Sequence, residues 1–442
     1  PVLVKPYPGL TQVPLDHSVK LPEIDYFDLV NRCGTIDSSC SEPLDIQKIS
    51  TVFRLTHDVT ARSVHTDPPF YYRSAASAGA LYPFETYLAV HQMDGLDPGL
   101  YHYHLFDFAL TTLRRGPVPV LPPVESGVSA SFYITGIFFR SAWKYRSRAY
   151  RYVLLDAGHL LENLRLALHA LELPFSIHLD FDDQRAATLL GLNPQREVCL
   201  ACVHLNGADA GKRKIAGAGG LNPLDSEILQ ASTVSEKEIA YRDILEIHRA
   251  GNLAIRTPGD VLPARHGLAN PPTAWIDLKP LDHPVSADYA RVLRLRRSRR
   301  NFIPASVSRE GLMAFMDLMA CSMGTAASMP PACRSALTTG FLVGAGIPVP
   351  PGFLSAGSGG KTHGVRNKRS AQRIYGRGLS GPDVVEKCCT APGVHDRFGC
   401  PGSGLGTPRI PVCHDRGRSP GPASLPGRHR SGMGGLRHRC HL

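Results

Sequence analysis

Long apolar runs are missing from this 442-residue sequence; no stretch of about twenty apolar residues occurs, which excludes an ordinary helical membrane span. The opening, Pro1 to Tyr7, carries Lys5 and lacks the apolar segment of a secretion signal. Because it opens on proline rather than methionine, the chain is expected to be part of something longer. Cysteine is scarce where it would matter for a disulfide scaffold. Only four of the eleven (Cys33, Cys40, Cys199, Cys202) fall in the first 320 residues, which together with the missing signal points to a reducing cytoplasm. Acidic excess is absent too, since the net charge is +11. That value suggests a nucleic-acid binder, but its distribution argues against one. Residues 321–442 hold 16 Lys and Arg against 4 Asp and Glu, which leaves residues 1–320 at a balance of −1. The basicity belongs to the tail, and nucleic acid is not expected as the main partner.

What is present reads as one α+β domain over residues 21–207, after a lead-in over 1–20. Ile24 to Asn31 and Leu44 to Leu55 have helical spacing. Phe84 to His91, Leu100 to His104, Phe108 to Leu113 and Ser131 to Phe139 interleave β-branched and aromatic residues and read as strands. The clearest helix, 149–171, carries Ala157, Leu160, Leu161, Leu164, Leu168 and Leu171 as one stripe. A shorter helix follows near Gln184 to Leu190, with Asp182 or Asp183 at its N-cap and Gly191 past its end. Glu197 to Leu205 closes the domain as a buried strand. Cys199 and Cys202 lie in that apolar run, so core thiols are expected rather than a metal or redox pair. His102 and His104 share one strand face and are expected at the surface; no metal site is predicted.

Residues 208–234 read as a linker, and 235–357 as a partial second domain. Within it, Ser235 to Leu253 and Ser308 to Met319 read as helices around the basic run Arg291 to Arg300. The order of basic run, loop and helix over 294–319 parallels 32–55, as a diverged copy would. Residues 358–442 are expected to be a disordered or out-of-frame tail: 23 of 42 glycines and 13 of 37 prolines fall in the last 122 residues, and such a segment buries too little apolar surface to fold.

Three motifs carry the chemistry. Ser77-Ala78-Gly79, within SAASAGALYPFETYLAV, is a run of small residues that lets backbone approach a flat ring. Lys144 and Tyr145 form part of SAWKYRSRAYRYVLLDAGHLLENL. Taken alone the pair also reads as a surface Lys-Tyr at a strand end. LRLRRSRRNF, Leu293 to Phe302, offers arginine forks suited to phosphate oxygens, although bare basic runs are usually solvated faces.

The succession of these motifs, with KPYPGLTQVPL at residues 5–15 and GLYHYHLFDFALTTLRRG at 99–116, resembles the SagB/ThcOx-type dehydrogenases, a branch of the FMN-binding nitroreductase superfamily. The resemblance is good over 5–207 and weaker over 235–320. It implies an α+β nitroreductase-like fold, a mixed or antiparallel sheet flanked by helices, in a tandem pseudo-dimer with an incomplete second unit, or a homodimer. It implies FMN as cofactor, against Ser77, Ala78 and Gly79, with Arg296, Arg297, Ser298 and Arg300 gripping its phosphate. The first domain keeps only Arg32 at the matching place, so one flavin site per chain is expected. Lys144 and Tyr145 match the family's proton-handling pair. The implied reaction is dehydrogenation of azoline rings to azoles in a peptide-derived or carrier-bound substrate, with a cyclodehydratase or synthetase as partner. Nitro or quinone reduction with NAD(P)H is the enzymatic alternative; a basic nucleic-acid-binding protein or a flavin-less pseudoenzyme are the others. Leu173 to Asp182 departs from the family's glycine-richer loop.

Overall fold

The structure, a computed structural model, describes residues 1–31, 43–63, 70–124, 127–206, 222–252, 286–299, 306–312 and 314–315, with the backbone alone of 274–277, 338–343, 352–356, 362–366 and 393–395. The chain divides into two units. The first comprises residues 1–262, 283–300 and 321–334; the second comprises 263–282, 301–320 and 335–442.

The first unit is built on strand β4 (Phe84–Val90), whose seven residues are all buried. The β-branched and aromatic residues of FETYLAV suit a pleat covered on both faces. The hairpin β5 (Gly99–His104) and β6 (Ala109–Arg115) lies on one side of β4, and β7 (Val128–Ile137) and β9 (Glu197–Asn206) lie on the other. With β1 (Gln12–Pro14) and β8 (Phe175–His178) at the edges, the order is β1-β6-β5-β4-β7-β9-β8, every pair antiparallel. The expected α+β class is therefore observed, with an antiparallel sheet.

Helices cover both faces. The leucine stripe becomes α4 (Ala149–Ala170), which buries Val153, Ala157, Leu160, Leu161, Leu164 and Leu168. It packs with Ile49, Val52 and Phe53 of α2 (Ile46–Thr56) against Phe84, Leu88, Phe132 and Ile134 of the sheet. Each such side chain contributes about 1.5–3 kcal/mol by leaving water. On the opposite face α5 (Asp183–Leu190) sets Ala186, Leu189 and Leu190 against Tyr87, Tyr133, Cys199 and Cys202. Its cap is the expected one, with Asp182 accepting from the Arg185 N–H and Gly191 closing the end. Both cysteines are free and buried, as core thiols.

Four details differ from the sequence reading. The strand expected to reach Phe139 ends at Ile137, and Phe138 opens helix α3 (Phe138–Tyr145). Alternation stops there, and Phe138, Phe139 and Ala142 bury one helical face instead. His102 is fully buried rather than at the surface, because β5 is an interior strand and Glu85 faces the imidazole at 2.9 Å. Helix 235–253 is shorter, as α7 (Arg242–Asn252); the Glu238 carboxylate takes the Val234 and Ser235 N–H groups and holds them in a turn. Residues 222–234, within the stretch read as a linker, include α6 (Ser226–Gln230) and bury Ile228, Ser232 and Val234.

Helix α1 (Tyr26–Asn31) starts beside α8 (Tyr289–Leu295), which returns to the first unit: Asp25 accepts from Ser286 and the Ala287 N–H, and the Tyr289 N–H donates to Ile24. In the second unit, β10 (Ala274–Asp277), β11 (Thr338–Val343), β12 (Gly352–Ala356), β13 (Thr362–Arg366) and β14 (Gly393–His395) form an antiparallel sheet ordered β10-β13-β12-β11-β14. β12 carries Ser355 and Ala356, which with Gly357 repeat the Ser-Ala-Gly triplet of residues 77–79, while β13 and β14 fall within the stretch expected to be tail. The rest of that tail lies outside the described residues.

Candidate active site

Ser77, Ala78 and Gly79 stand where the chain turns into β4. The turn is tight: Ala80 donates its N–H to the Ser77 carbonyl, and Gly79, Ala80 and Tyr82 all have left-handed backbone, with φ of 65°, 52° and 46°. Glycine takes that conformation freely, whereas alanine and tyrosine do so at a cost that fixed partners must cover. Those partners are present. The Ser77 hydroxyl donates to Asp156 Oδ2 at 2.6 Å and accepts the Tyr82 N–H at 2.8 Å, and the Ala78 N–H donates to Asp156 Oδ1 at 3.0 Å. Arg140 reaches the Tyr82 carbonyl, and the Tyr82 hydroxyl accepts the Arg73 N–H at 3.1 Å.

Lys144 and Tyr145 sit directly over this turn, at the end of α3 rather than at a strand end. A β-carbon on Gly79 would lie 2.6 Å from Tyr145 Oη and 2.8 Å from Lys144 Nζ. Only a residue without a side chain leaves room for both polar ends against the loop backbone. The Tyr145 ring packs on Tyr152 at 4.5 Å between centroids, which fixes the phenol from the α4 side, while Lys144 is exposed.

The basic run follows α8 as an extended segment. Arg296 reaches the carbonyls of Arg73 and Ser74 at 3.4 Å, and Arg297 reaches Thr60 of strand β2 (Val59–Ser63), also stacking over Tyr72. Arg73 ends β3 (Phe70–Arg73), four residues before Ser77. Contacts of 3.3–3.4 Å are long for hydrogen bonds and hold Arg296 weakly, whereas Arg297 also donates to the carbonyls of Arg294 at 2.8 Å and Arg296 at 2.6 Å. Ser298 is exposed and lies beyond the C-cap of α8. Arg300, and residues 32–35 where the first domain keeps its single arginine, lie outside the described residues. A surface cleft of about 630 Å³ lined by Arg54, Asp288, Arg291 and Arg294 contains none of these groups.

Beneath the site is a buried charge network that the sequence did not announce. Glu85 pairs with Arg140 at 2.6 Å and with His102. Burial works against the Glu85 charge, but Arg140 and the His102 hydrogen bond hold its carboxyl well below the usual range. Lys5 pairs with Glu197 at 2.7 Å and bonds to Tyr87, and Thr135 and Ser232 complete the Glu197 shell. Burial, with Arg140 alongside, pulls Arg73 down to about 10. Burial also pushes the Asp156 carboxyl up to about 6, against the hydrogen bonds from Ser77 and Ala78. A signal for these residues existed: Glu85 interrupts an apolar strand, and Asp156 interrupts the buried stripe of α4.

The nitroreductase family matches residues 41–207. Residues 41–207 are a nitroreductase domain. The chain is 27% identical over 173 residues to the nitroreductase-like protein MJ1384 of Methanocaldococcus jannaschii, covering 35% of this chain and 80% of that protein. It is 31% identical over 141 residues to the trifolitoxin-processing protein TfxB of Rhizobium leguminosarum, covering 29% of this chain but 38% of TfxB. A solved nitroreductase-like structure from Anabaena variabilis superposes with a TM-score of 0.60 at 20% identity, covering 85% of this chain and 75% of that one. The nitroreductase family binds FMN, and its members are oxidoreductases.

The nitroreductase domain fits that cofactor on its own geometry. Ser77 to Gly79 present backbone with almost no side-chain bulk, and the polar ends of Lys144 and Tyr145 face it. Arg296, held only by 3.4 Å contacts to the segment that leads into the turn, and Arg297 beside it have donors suited to a phosphate. No helix among the described residues is long and apolar enough to cross a membrane.

Proposed function

We propose that this chain is an FMN-dependent oxidoreductase that dehydrogenates azoline rings to azoles in a peptide-derived substrate. The observation that carries the reading is Lys144 Nζ and Tyr145 Oη meeting over the bare backbone of Gly79. Aromatising an azoline removes a hydride from one ring carbon and a proton from its neighbour. Bound FMN supplies the hydride acceptor. The chain must then supply the base, and two groups able to accept or relay a proton converge on one face of the turn. Ser77, Ala78 and Gly79 would hold the ring, and Arg296, Arg297, Ser298 and Arg300 the phosphate. Likeness to a protein named for processing trifolitoxin supports a processing role on a peptide-derived substrate; a cyclodehydratase or synthetase partner is part of the proposal.

We further infer a tandem arrangement, with a lead-in over 1–20, a first domain over 21–207, a partial second domain over 235–357, and one flavin site per chain. The likeness to the Anabaena structure supports it by extending over 85% of this chain, well beyond residues 41–207.

The test is a thiazoline-containing peptide incubated with the FMN-loaded chain and followed by mass spectrometry. The proposal expects a loss of two hydrogens per ring, dependent on bound FMN and on an electron acceptor. An inert peptide together with brisk NAD(P)H-driven reduction of nitroaromatics or quinones would move the assignment to the reductase alternative.

A further inference from the structure

Asp156 is a carboxylate on the apolar face of α4, 3% exposed, flanked there by Val153, Ala157 and Leu160. Burying a carboxylate is costly unless its oxygens are well satisfied. Here the satisfying donors come from one loop: Ser77 at 2.6 Å and the Ala78 N–H at 3.0 Å. Ser77 in turn accepts the Tyr82 N–H, so a single carboxylate ties down both ends of the 77–82 turn. That turn needs tying, because Gly79, Ala80 and Tyr82 are left-handed. The same helix face carries Tyr152 one turn earlier, and its ring abuts Tyr145. Asp156 and Tyr152 thus set the Ser-Ala-Gly backbone and the Lys144–Tyr145 pair in register from one rigid element.

We propose that Asp156 is a positioning residue, a latch from α4 that holds the strained 77–82 turn in the conformation that receives the flavin ring. The inference rests on the FMN reading above and adds to it the residue that shapes the turn. A leucine at this position would complete the stripe and stabilise the helix face. The carboxylate instead serves the turn, as the acceptor for Ser77 and the Ala78 N–H.

The experiment uses the full chain at pH 8, stripped of flavin and titrated with FMN, reading flavin fluorescence and the visible absorption bands. Circular dichroism serves as the folding control. Asp156→Ala leaves two loop donors without their acceptor; FMN affinity should fall about tenfold or more, and the bands should move towards those of free flavin. Asp156→Asn should recover most of the loss, because its amide oxygen can accept the Ala78 N–H while its NH2 donates to Ser77 Oγ. If Asp156→Ala fails to fold, Ser77→Ala cuts the latch from the loop side, and the same loss of affinity and band shift are expected. Wild-type binding with Asp156→Ala or Ser77→Ala within twofold and spectrally unchanged overturns the latch alone. So does an asparagine variant as impaired as the alanine one. A wild-type chain that binds no FMN overturns the cofactor reading and the latch with it.

Discussion

Lys144→Ala should abolish azoline oxidation while leaving FMN bound and nitroaromatic reduction largely intact. The two reactions need different things from the protein. Dehydrogenating the ring requires a group to take the proton as hydride departs, and losing such a base costs about 10²–10⁴-fold. Reducing a nitro group with NAD(P)H requires chiefly a positioned flavin. Lys144 is exposed and its nitrogen rests over Gly79, so its removal should not disturb the core. Tyr145→Phe should give a milder loss, since it keeps the ring packed on Tyr152 and deletes only the hydroxyl. Turnover of a thiazoline peptide and of a nitroaromatic by the same preparations checks both variants. Equal loss of the two activities would count against the assigned role.

Gly79→Ala is expected to be nearly as damaging, for a different reason. The new β-carbon would fall 2.6 Å from Tyr145 Oη and 2.8 Å from Lys144 Nζ, well inside van der Waals contact. The left-handed φ of 65° adds a backbone cost of about 1–2 kcal/mol for any residue but glycine. Lysine can swing away cheaply; the tyrosine, packed on Tyr152, cannot. The pair should therefore be displaced. We expect azoline turnover to fall about a hundredfold and FMN binding to weaken less. A double-mutant cycle with Tyr145→Phe sharpens the point: deleting the hydroxyl removes the 2.6 Å clash, so the two substitutions should fall short of additive if both act through the same contact. Full additivity would contradict the geometry.

These expectations draw on parts of the molecule that were unequally legible. Helix α4 and strand β4 can be read because their apolar patterns are long enough to show through the single buried acid in each, and the α5 caps because Asp182 and Gly191 are the residue types those positions demand. The Ser-Ala-Gly turn and the Lys-Tyr pair could be named from the sequence but not joined, since 65 residues separate Gly79 from Lys144. Their meeting depends on β4 and β7 pairing so that Phe84 faces Gly136. The change from strand to helix at Phe138 is illegible locally, because Phe138 and Phe139 continue the apolar run of β7. The burial of His102 is hidden for a related reason: a strand's pattern says which residues share a face, not whether a buried Glu85 lies opposite. Asp156 was overlooked because a single acid among leucines reads as a flaw in the stripe. Its partners come from 78 and 79 residues away.

The central claim is that this chain holds FMN in the turn before β4. Its most direct measurement is the visible spectrum of the purified protein, with the flavin released on denaturation identified and counted. The account predicts a yellow protein that yields FMN at about one per chain, or a colourless one that takes up added FMN to that level. A colourless protein that refuses added FMN would contradict it.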